Sequence, residues 1–266
     1  MTAADDRPVA VVTGAAQGMG RRIAEVLAER GHRLVLVDLR EPSDTVASLG
    51  RTGVEAGRDV WSMVGDVSAE VDVAALAAGA RERFARIDVL VNNAGVSLLN
   101  PAESTTVDQW WRVLDVNLTG PFLLSREFGT DMLAVGSGSI VNIASIAGLH
   151  GISDRAAYNS SKHGLIGLTR TLAAEWGGRG VRVNAVCPGW VKTEMDEADQ
   201  ASGGYTDEDI AGRVPMGRFA SPDDIAAAVA FLADSRVSGF VNGVALPVDG
   251  GWTADGSWQS LRMRKR

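Results

Sequence analysis

Residues 9–20 read VAVVTGAAQGMG, and the prediction of the fold begins with them. The four apolar residues predict a strand buried on both faces, and the glycine-rich segment after them leads into a helix that Gly31 ends. Gly14, Gly18 and Gly20 would let backbone amides at a helix N-terminus approach a pyrophosphate. Their spacing differs from the common G-x-G-x-x-G pattern, and the glycines alone are weak evidence. Their position between a first strand and its helix is what supports the prediction of a dinucleotide site.

Short apolar segments alternate with longer amphipathic segments through the rest of the chain. Strands apolar on both faces and separated by helices predict a single α/β domain over residues 1–266. We expect a doubly wound, Rossmann-type, parallel seven-stranded sheet with helices on both faces. Ser68 and Ser221 are predicted helix N-caps. Further strands are predicted at 34–37, 60–65, 88–91, 139–143, 181–186 and 241–248, and helices at 19–30, 42–50, 68–85, 105–116, 121–135, 156–176 and 222–233.

Two segments depart from this alternation. Residues 192–214 follow the sixth strand and are rich in Glu, Asp, Gly and Ser. Long insertions at the carboxyl ends of strands are typical of ligand lids, and a solvated helix and loop is the alternative. The basic tail at 257–266 carries Arg262, Arg264, Lys265 and Arg266. We expect this tail to be solvated, with a contact to a neighbouring subunit as the alternative.

Composition and charge narrow the class of protein. The net charge of -7 argues against a nucleic-acid partner. Cys187 is the only cysteine, so no intrachain disulfide can form. The chain starts with polar residues, and no apolar segment has the length of a membrane span, so we expect a cytoplasmic protein with no membrane contact. His32, His150 and His163 are scattered, which argues against a metal site, and His32 is expected to meet carbonyls at a helix end.

Asp38, at the end of the second predicted strand, bears on the choice of cofactor. It follows Gly20 by 18 positions. A carboxylate at this place can accept both hydroxyls of an adenosine ribose and would repel a 2′-phosphate. The nearby Arg40 could offset that repulsion, although an exposed charge is its simpler interpretation. We therefore expect NAD rather than NADP.

Tyr158 and Lys162 stand four residues apart at the start of the predicted helix 156–176, so they share one of its faces. A free tyrosine titrates near ~10, too high for a base at neutral pH, and a neighbouring ammonium group lowers that pKa. Lowering it by about 3 units takes roughly 4 kcal/mol, which one lysine beside a nicotinamide cation could supply. The pair alone is common on solvated helices. Ser145 supports a catalytic interpretation of the Tyr158–Lys162 pair, because it follows the fifth strand at the sheet edge where ligands bind.

In combination, these motifs resemble those of the short-chain dehydrogenase/reductase superfamily, in its main branch. They come in that family's order and cover about residues 8–252. The matching positions are Thr13 and Gly14 to Gly20, Asn92 to Gly95, Asn117, Ser145, Tyr158 to Lys162, and Pro188 to Thr193.

The resemblance implies a role for each member of a catalytic set. Tyr158 would be the general acid or base on the substrate oxygen, and Ser145 would hydrogen-bond that oxygen. Lys162 would lower the tyrosine pKa and hold the nicotinamide ribose, and Asn117 would position a water in a proton relay. A homotetramer formed through the helices at 105–135 and 156–176 is also implied. The implied cofactor-binding residues are Gly14, Gln17, Gly18, Met19, Gly20, Asp38, Asp66, Val67, Asn93, Ala94, Gly95, Tyr158, Lys162, Val191 and Thr193.

The substrate site is less sharply defined by the sequence. Its expected lining is mostly apolar and offers no Arg or Lys clamp for a carboxylate or phosphate, so we expect a neutral secondary alcohol or ketone. The candidate residues are Ser97, Ser145, Ala147, His150, Tyr158 and Trp190.

We predict an NAD-dependent oxidoreductase that interconverts a secondary alcohol and a ketone, with three alternatives. A 3-oxoacyl thioester (acyl carrier protein) reductase fits the family, but Asp38 weighs against it because biosynthetic reduction usually draws on NADPH. A polyol or sugar dehydrogenase fits Asp38 but would need more polar groups in the pocket. A catalytically dead, cofactor-sensing regulator on this fold is disfavoured by the complete set of four catalytic residues.

Overall fold

The strand predicted at residues 9–12 lies in the interior of the sheet in a computed structural model of the chain, which describes residues 6–51, 53–201 and 205–257. Every residue of this strand is buried, because helices cover both faces of the sheet. The strands are β1 (Val9–Thr13), β2 (Arg33–Asp38), β3 (Val60–Val64), β4 (Val89–Asn92), β5 (Gly138–Ile143), β6 (Val181–Pro188) and β7 (Ala245–Val248). Their order is β3-β2-β1-β4-β5-β6-β7, and all the pairings are parallel, as the sequence predicted.

Helices occupy the connections between these strands. Their bounds are α1 (Gly18–Glu29), α2 (Ser43–Gly50), α3 (Glu70–Arg83), α4 (Val107–Leu114), α5 (Gly120–Val135), α6 (Ala156–Trp176), α7 (Glu194–Ala201), α8 (Asp207–Arg213), α9 (Pro222–Ala233) and α10 (Ser235–Ser238). The segment at 192–214 therefore contains two of them, α7 and α8. No helix within the described residues is both long enough and apolar enough to cross a bilayer. The predicted basic tail lies outside the described residues from 258 onward.

Two cores lie on opposite faces of the sheet. Successive side chains of a strand point to opposite faces, so Val9 and Val11 join one core while Ala10 and Val12 join the other. Helices α3, α5 and α6 cover the first face, and α1, α2 and α9 cover the second. This packing explains why the strands are apolar throughout rather than alternating.

The order of the strands also determines where a ligand can bind. The chain moves outward from β1 to β3 and then returns to place β4 on the other side of β1. The connections after β1 and β4 therefore diverge, which leaves a crevice at the carboxyl ends of these two strands. Thr13 ends β1 and Asn92 ends β4, so the glycine-rich loop and the Asn92 to Gly95 turn meet at that crevice.

The two predicted helix caps had different outcomes. Ser221 is confirmed, because its hydroxyl accepts a hydrogen bond from Asp224 N (3.2 Å) at the start of α9. The prediction of Ser68 as an N-cap is wrong, since α3 begins two residues later at Glu70. The backbone and hydroxyl of Ser68 instead donate to Asp66 Oδ1 (2.9 and 2.6 Å), so a local turn takes up the polar groups that a cap would use.

The last strand is shorter than predicted. It begins at Ala245 rather than at 241, because Gly243 adopts a left-handed conformation with φ of 76°. The carbonyl of Val241 accepts a hydrogen bond from Asn184 Nδ2 (3.0 Å) instead of joining the strand ladder. His32 agrees with expectation, since its Nδ1 lies 3.0 Å from the Leu27 carbonyl near the end of α1.

Candidate active site

The glycine-rich loop is built for close approach of a ligand to the backbone. Gly14 and Gly18 have positive φ values of 64° and 54°, which favour glycine. A Cβ atom on Gly20 would lie 2.0 Å from the Gly14 carbonyl oxygen, so this position requires glycine. The loop leads directly into α1, whose N-terminal amides are suited to an anionic group.

A cleft with about 1180 Å³ of empty space opens beside this loop, and we call it the dinucleotide cleft. It brings together most of the cofactor-binding residues expected from the sequence: Gly14, Gln17, Gly18, Met19, Gly20, Asp38, Asp66, Val67, Asn93, Ala94, Gly95 and Thr193. The lining residues outside that expected set are Leu39, Arg40, Gly65, Val96, Arg112 and Val116. Arg112 comes from α4 and donates to Asp66 Oδ2 (3.1 Å), a contact across 46 positions that no local pattern signals.

The end of β4 is tied to the glycine-rich loop by a group of hydrogen bonds. Thr13 Oγ1 accepts from the backbone nitrogens of Asn93 (3.0 Å) and Ala94 (2.9 Å). In return, Asn93 Nδ2 donates to the carbonyls of Thr13 (2.9 Å) and Gly14 (3.2 Å). The two motifs therefore form one rigid wall of the dinucleotide cleft.

Asp38 is held in place at the far end of the same cleft. Its Oδ2 accepts from Ala16 N (3.0 Å) and its Oδ1 accepts from Arg40 N (3.2 Å). The Arg40 guanidinium also lines the cleft and donates to the side-chain oxygen of Gln17. A fixed carboxylate and a guanidinium are thus both present where the adenosine ribose of a dinucleotide would bind.

Lys162 is buried one helical turn after Tyr158 on α6. Only 4% of it is exposed, and its Nζ donates to the Ile143 carbonyl (2.8 Å) at the end of β5. The same Nζ lies 5.7 Å from the centroid of the Tyr158 ring. Burial disfavours the ammonium form and lowers the pKa of Lys162 from 10.5 to about 8.

Ser145 lies two residues after the end of β5 and is buried. Its hydroxyl caps the short 3₁₀ turn Ile146–Gly148 and accepts from Ala147 N (3.1 Å). This bond leaves the hydroxyl proton for donation to a ligand oxygen. Ser145 and Tyr158 line the same cleft, so the structure brings together two residues that the sequence separates by 13 positions.

Asn117 lies in a π-helical turn, Asp115–Thr119, that joins α4 to α5. The two helices predicted at 105–116 and 121–135 are thus one continuous helical segment, with the π turn at the place where a loop was expected. Asn117 Oδ1 accepts from Val96 N (2.9 Å), and its Nδ2 donates to the Val96 carbonyl (3.0 Å) and to Ser161 Oγ (3.1 Å). A Cβ atom on Gly95 would lie 3.3 Å from Asn117 Oδ1 and 3.7 Å from Lys162 Nζ, so both side chains border this glycine.

A second cleft, with about 650 Å³ of empty space, is lined by Tyr158, and we call it the substrate cleft. Met19 and Thr193 line both clefts, so the two are adjacent. The sequence-predicted residues that line the substrate cleft are Ser97, Ser145, Ala147, Tyr158, Trp190 and Val191. The last of these was expected to contact the cofactor.

The expectation that this pocket has no arginine is wrong. Arg155 is only 7% exposed and lines the substrate cleft, where its Nη1 donates to Ser97 Oγ (2.8 Å). Its guanidinium carbon lies 5.7 Å from the Trp190 ring centroid and 5.9 Å from the Tyr158 ring centroid. Arg155 precedes α6 directly after Asp154, which has a positive φ of 59°, and the sequence does not show where such a turn directs the next side chain.

Three further residues alter the expected character of this cleft. Asp196 from α7 and Tyr205 from the following connection also line it. Both belong to the segment 192–214 that the sequence predicted as a lid, although neither was named there as a substrate residue. His150, which was a candidate substrate residue, instead packs edge-on against Trp252 with ring centroids 5.7 Å apart, outside the residues that line the cleft. The lining of the substrate cleft is therefore mostly apolar, as expected, but it includes charged and polar side chains that were not anticipated.

Comparison with known proteins places the chain among dehydrogenases. The sequence profile of a family described as enoyl-(acyl carrier protein) reductase matches residues 14–253. A D-threitol dehydrogenase from Mycolicibacterium smegmatis is 43% identical, over 93% of this chain and 94% of that protein. An NAD-dependent glycerol dehydrogenase from Listeria innocua is 36% identical, over 92% of this chain and 93% of that protein.

Solved structures agree in fold with this chain. One is a Beutenbergia cavernae protein, provisionally assigned as an NAD(P)-dependent gluconate 5-dehydrogenase, with NADP bound at low occupancy. It has a TM-score of 0.85 and 41% identity, and the match covers 95% of this chain and 98% of that chain.

Proposed function

The chain belongs to the short-chain dehydrogenase/reductase superfamily, and we propose that it oxidises a secondary alcohol reversibly to the ketone with NAD as its cofactor. Interconversion of secondary alcohols and ketones is the reaction class of this enzyme. The single observation that supports the proposed mechanism is the position of Lys162 Nζ, which lies 5.7 Å from the ring of Tyr158 in the substrate cleft and, with Asn117, borders Gly95 of the dinucleotide cleft. Ser145 lines the substrate cleft together with Tyr158.

Tyr158 is the general base in the direction of alcohol oxidation and the general acid in the reverse direction. Its phenolate oxygen takes the proton of the substrate hydroxyl and becomes the neutral phenol, while Ser145 donates a hydrogen bond to the same substrate oxygen. The buried ammonium group of Lys162 stabilises the phenolate form of Tyr158 through its positive charge. Bound NAD supplies the acceptor for the hydride.

The residues of the dinucleotide cleft fit a dinucleotide. Backbone at Gly14 and Gly20, where no Cβ could be accommodated, would cradle the pyrophosphate. Asn93 to Gly95 would contact the ribose on the nicotinamide side, and Lys162 would hydrogen-bond it. The carboxylate of Asp38, held by Ala16 N, supports NAD over NADP because it would repel a 2′-phosphate. The Arg40 guanidinium would attract a 2′-phosphate and so favour NADP. In this proposal the repulsion by the Asp38 carboxylate is the larger effect.

Asn117 acts on the proton path rather than on the substrate. Its side-chain amide bonds to Val96 and Ser161 and so holds the β4 loop against the helix that carries Lys162, while Oδ1 keeps a second acceptor site for a water. A water held near Gly95 by this arrangement would pass protons between Lys162 and bulk solvent. Loss of the Asn117 side chain would therefore affect proton transfer without touching the reacting carbon.

Several wider features belong to the same proposal. The two helices α7 and α8 would form a lid over the substrate cleft. The enzyme would act as a cytoplasmic homotetramer assembled through α4, α5 and α6, and the exposed ring of Phe122 on α5 supports an interface there. We propose no membrane or nucleic-acid partner.

A polyol or sugar alcohol is the second candidate for the substrate. The observation that favours it is the polar lining of the substrate cleft by Arg155, Asp196 and Tyr205, which supplies the groups that a polyol requires. An acyl thioester substrate has no such specific support, and the assembled catalytic set disfavours a dead regulator.

A spectrophotometric screen of alcohols and ketones with NAD(H) and NADP(H) tests the proposal. We expect the absorbance of reduced nicotinamide to appear with a secondary alcohol and NAD, and to disappear with the matching ketone and NADH. A clear preference for NADP(H) would refute the role given to Asp38. Failure of every secondary alcohol and ketone with both cofactors would refute the proposed reaction.

A further inference from the structure

Asp196 is a buried carboxylate on the α7 side of the substrate cleft. It is 6% exposed and lines the cleft together with Tyr205. Its Oδ1 accepts a hydrogen bond from Tyr205 Oη (2.9 Å), and its Oδ2 is paired with the Lys192 ammonium group, whose Nζ lies 3.3 Å away. A carboxylate oxygen can accept more than one hydrogen bond, so the Asp196 side chain that lines the cleft can also accept from a ligand donor.

Tyr205 is oriented by this carboxylate. Because its hydroxyl proton is donated to Asp196, the phenol oxygen can act toward a ligand only as an acceptor. Its ring packs edge-on against Trp190 with centroids 4.7 Å apart, which fixes the ring at the cleft. Asp196 and Tyr205 together form an acceptor wall on the lid side, and we use that name below.

The same cleft also offers donors. Arg155 lines it, has only N–H groups, and donates from Nη1 to Ser97 Oγ (2.8 Å). A substrate whose reacting oxygen binds Tyr158 and Ser145 therefore meets both acceptors and donors in this cleft. A hydroxyl group can both donate and accept, whereas a hydrocarbon chain can do neither and would form no hydrogen bond with these residues.

We propose that the substrate is a small polyol, and that the acceptor wall of Asp196 and Tyr205 binds a hydroxyl group other than the one that is oxidised. Asp196 is thus a specificity-determining residue of the substrate cleft. The inference rests on the proposed function and names the substrate class of that site. On this inference, the polar groups of Asp196 and Tyr205 bind the substrate in addition to stabilising the lid.

The test compares alcohols that differ only in their additional hydroxyls. D-threitol, L-threitol and erythritol each have the carbon number of 2-butanol, which has a single hydroxyl. We expect kcat/KM of the wild-type enzyme for the best of the three tetritols to exceed that for 2-butanol by about 10²-fold or more. Asp196→Asn and Tyr205→Phe should each lower the tetritol value by about 10-fold or more and change the 2-butanol value less than about 3-fold.

Asp207→Asn is the matched control. Asp207 also binds Lys192 (Nζ to Oδ1, 2.7 Å) but is 61% exposed and does not line the substrate cleft. This variant should leave the ratio of the two kcat/KM values unchanged, because it perturbs the lid without touching the acceptor wall.

Three outcomes would overturn the inference, and they differ from failure of the proposed function. Equal losses for tetritol and 2-butanol in Asp196→Asn would assign the residue a structural role in the lid. Wild-type activity on 2-butanol equal to or above that on all three tetritols would exclude the polyol class while leaving the alcohol dehydrogenase reaction intact. Absence of activity on every alcohol and ketone with either cofactor would refute the proposed function itself.

Discussion

Replacement of Lys162 by Met should stabilise the protein in the absence of cofactor, although it removes a catalytic group. Burial of this side chain lowers its pKa from 10.5 to about 8. At about 1.4 kcal/mol per pH unit, that difference corresponds to roughly 3 kcal/mol of unfavourable free energy for the charged form in the folded state. The buried methionine would avoid this cost but lose the hydrogen bond to the Ile143 carbonyl, which is worth roughly 1.5–3 kcal/mol.

The dependence on pH separates these two contributions. Between the folded value of about 8 and the unfolded value of 10.5, the unfolded chain binds more protons at this site than the folded chain does. The stability of the wild type should therefore rise with pH in that window relative to Lys162→Met. The relative advantage of the variant should be greatest below pH 8 and should shrink by about 3 kcal/mol as the pH approaches 10.5.

Urea unfolding of the cofactor-free proteins at several pH values between 7 and 10.5 provides the measurement. Lys192→Met is the control, since Lys192 is 40% exposed and the hydrogen bond that it donates to Asp207 raises its pKa. The difference in the free energy of unfolding between Lys192→Met and the wild type should not show the pH-dependent change expected for Lys162→Met. If Lys162→Met differs from the wild type by the same amount at every pH, burial of the ammonium imposes no cost and the reasoning is refuted.

Three further substitutions test separate parts of the site. Ser145→Ala should lower kcat by about 10²–10³-fold with little change in NADH binding, and an unchanged kcat would exclude oxyanion stabilisation by its hydroxyl. Gly20→Ala would place a Cβ atom 2.0 Å from the Gly14 carbonyl oxygen and should abolish NADH binding in a fluorescence titration, whereas Gly167→Ala, with open space at its Cβ, should leave binding intact. Asp38→Ala should lower the ratio of kcat/KM with NAD to that with NADP by about 10-fold or more, and an unchanged ratio would contradict the role of this carboxylate.

The parts of the fold that the sequence predicted best are those where one local pattern has one structural solution. The apolar segment at 9–12 could only be a buried strand in this context, and α6 has the predicted bounds of 156 and 176. The glycine-rich loop was predictable because Gly14 and Gly20 meet a steric requirement that other residues fail. The parallel pairing of the strands followed from the alternation of strands and helices.

The parts that the sequence did not predict depend on competition or on distant contacts. Ser68 was predicted as a helix cap, but its backbone N–H and its hydroxyl both donate to Asp66, two residues earlier, in a local turn. Asn117 was expected from family resemblance, but its π turn was not, because the periodicity on both sides is that of an ordinary helix. Arg155 and Asp196 were not identified as residues of the substrate cleft, because they reach it from separate segments and the direction of each side chain depends on local backbone geometry.

The role of Tyr158 in proton transfer is tested most directly by one variant, Tyr158→Phe, assayed for both turnover and NADH binding. The substitution removes the hydroxyl and keeps the ring that lies 5.7 Å from Lys162 Nζ. We predict that alcohol oxidation falls by about 10²-fold or more while NADH binding stays close to that of the wild type. Turnover near the wild-type rate, with NADH bound normally, would contradict the assignment of Tyr158 as the general acid and base.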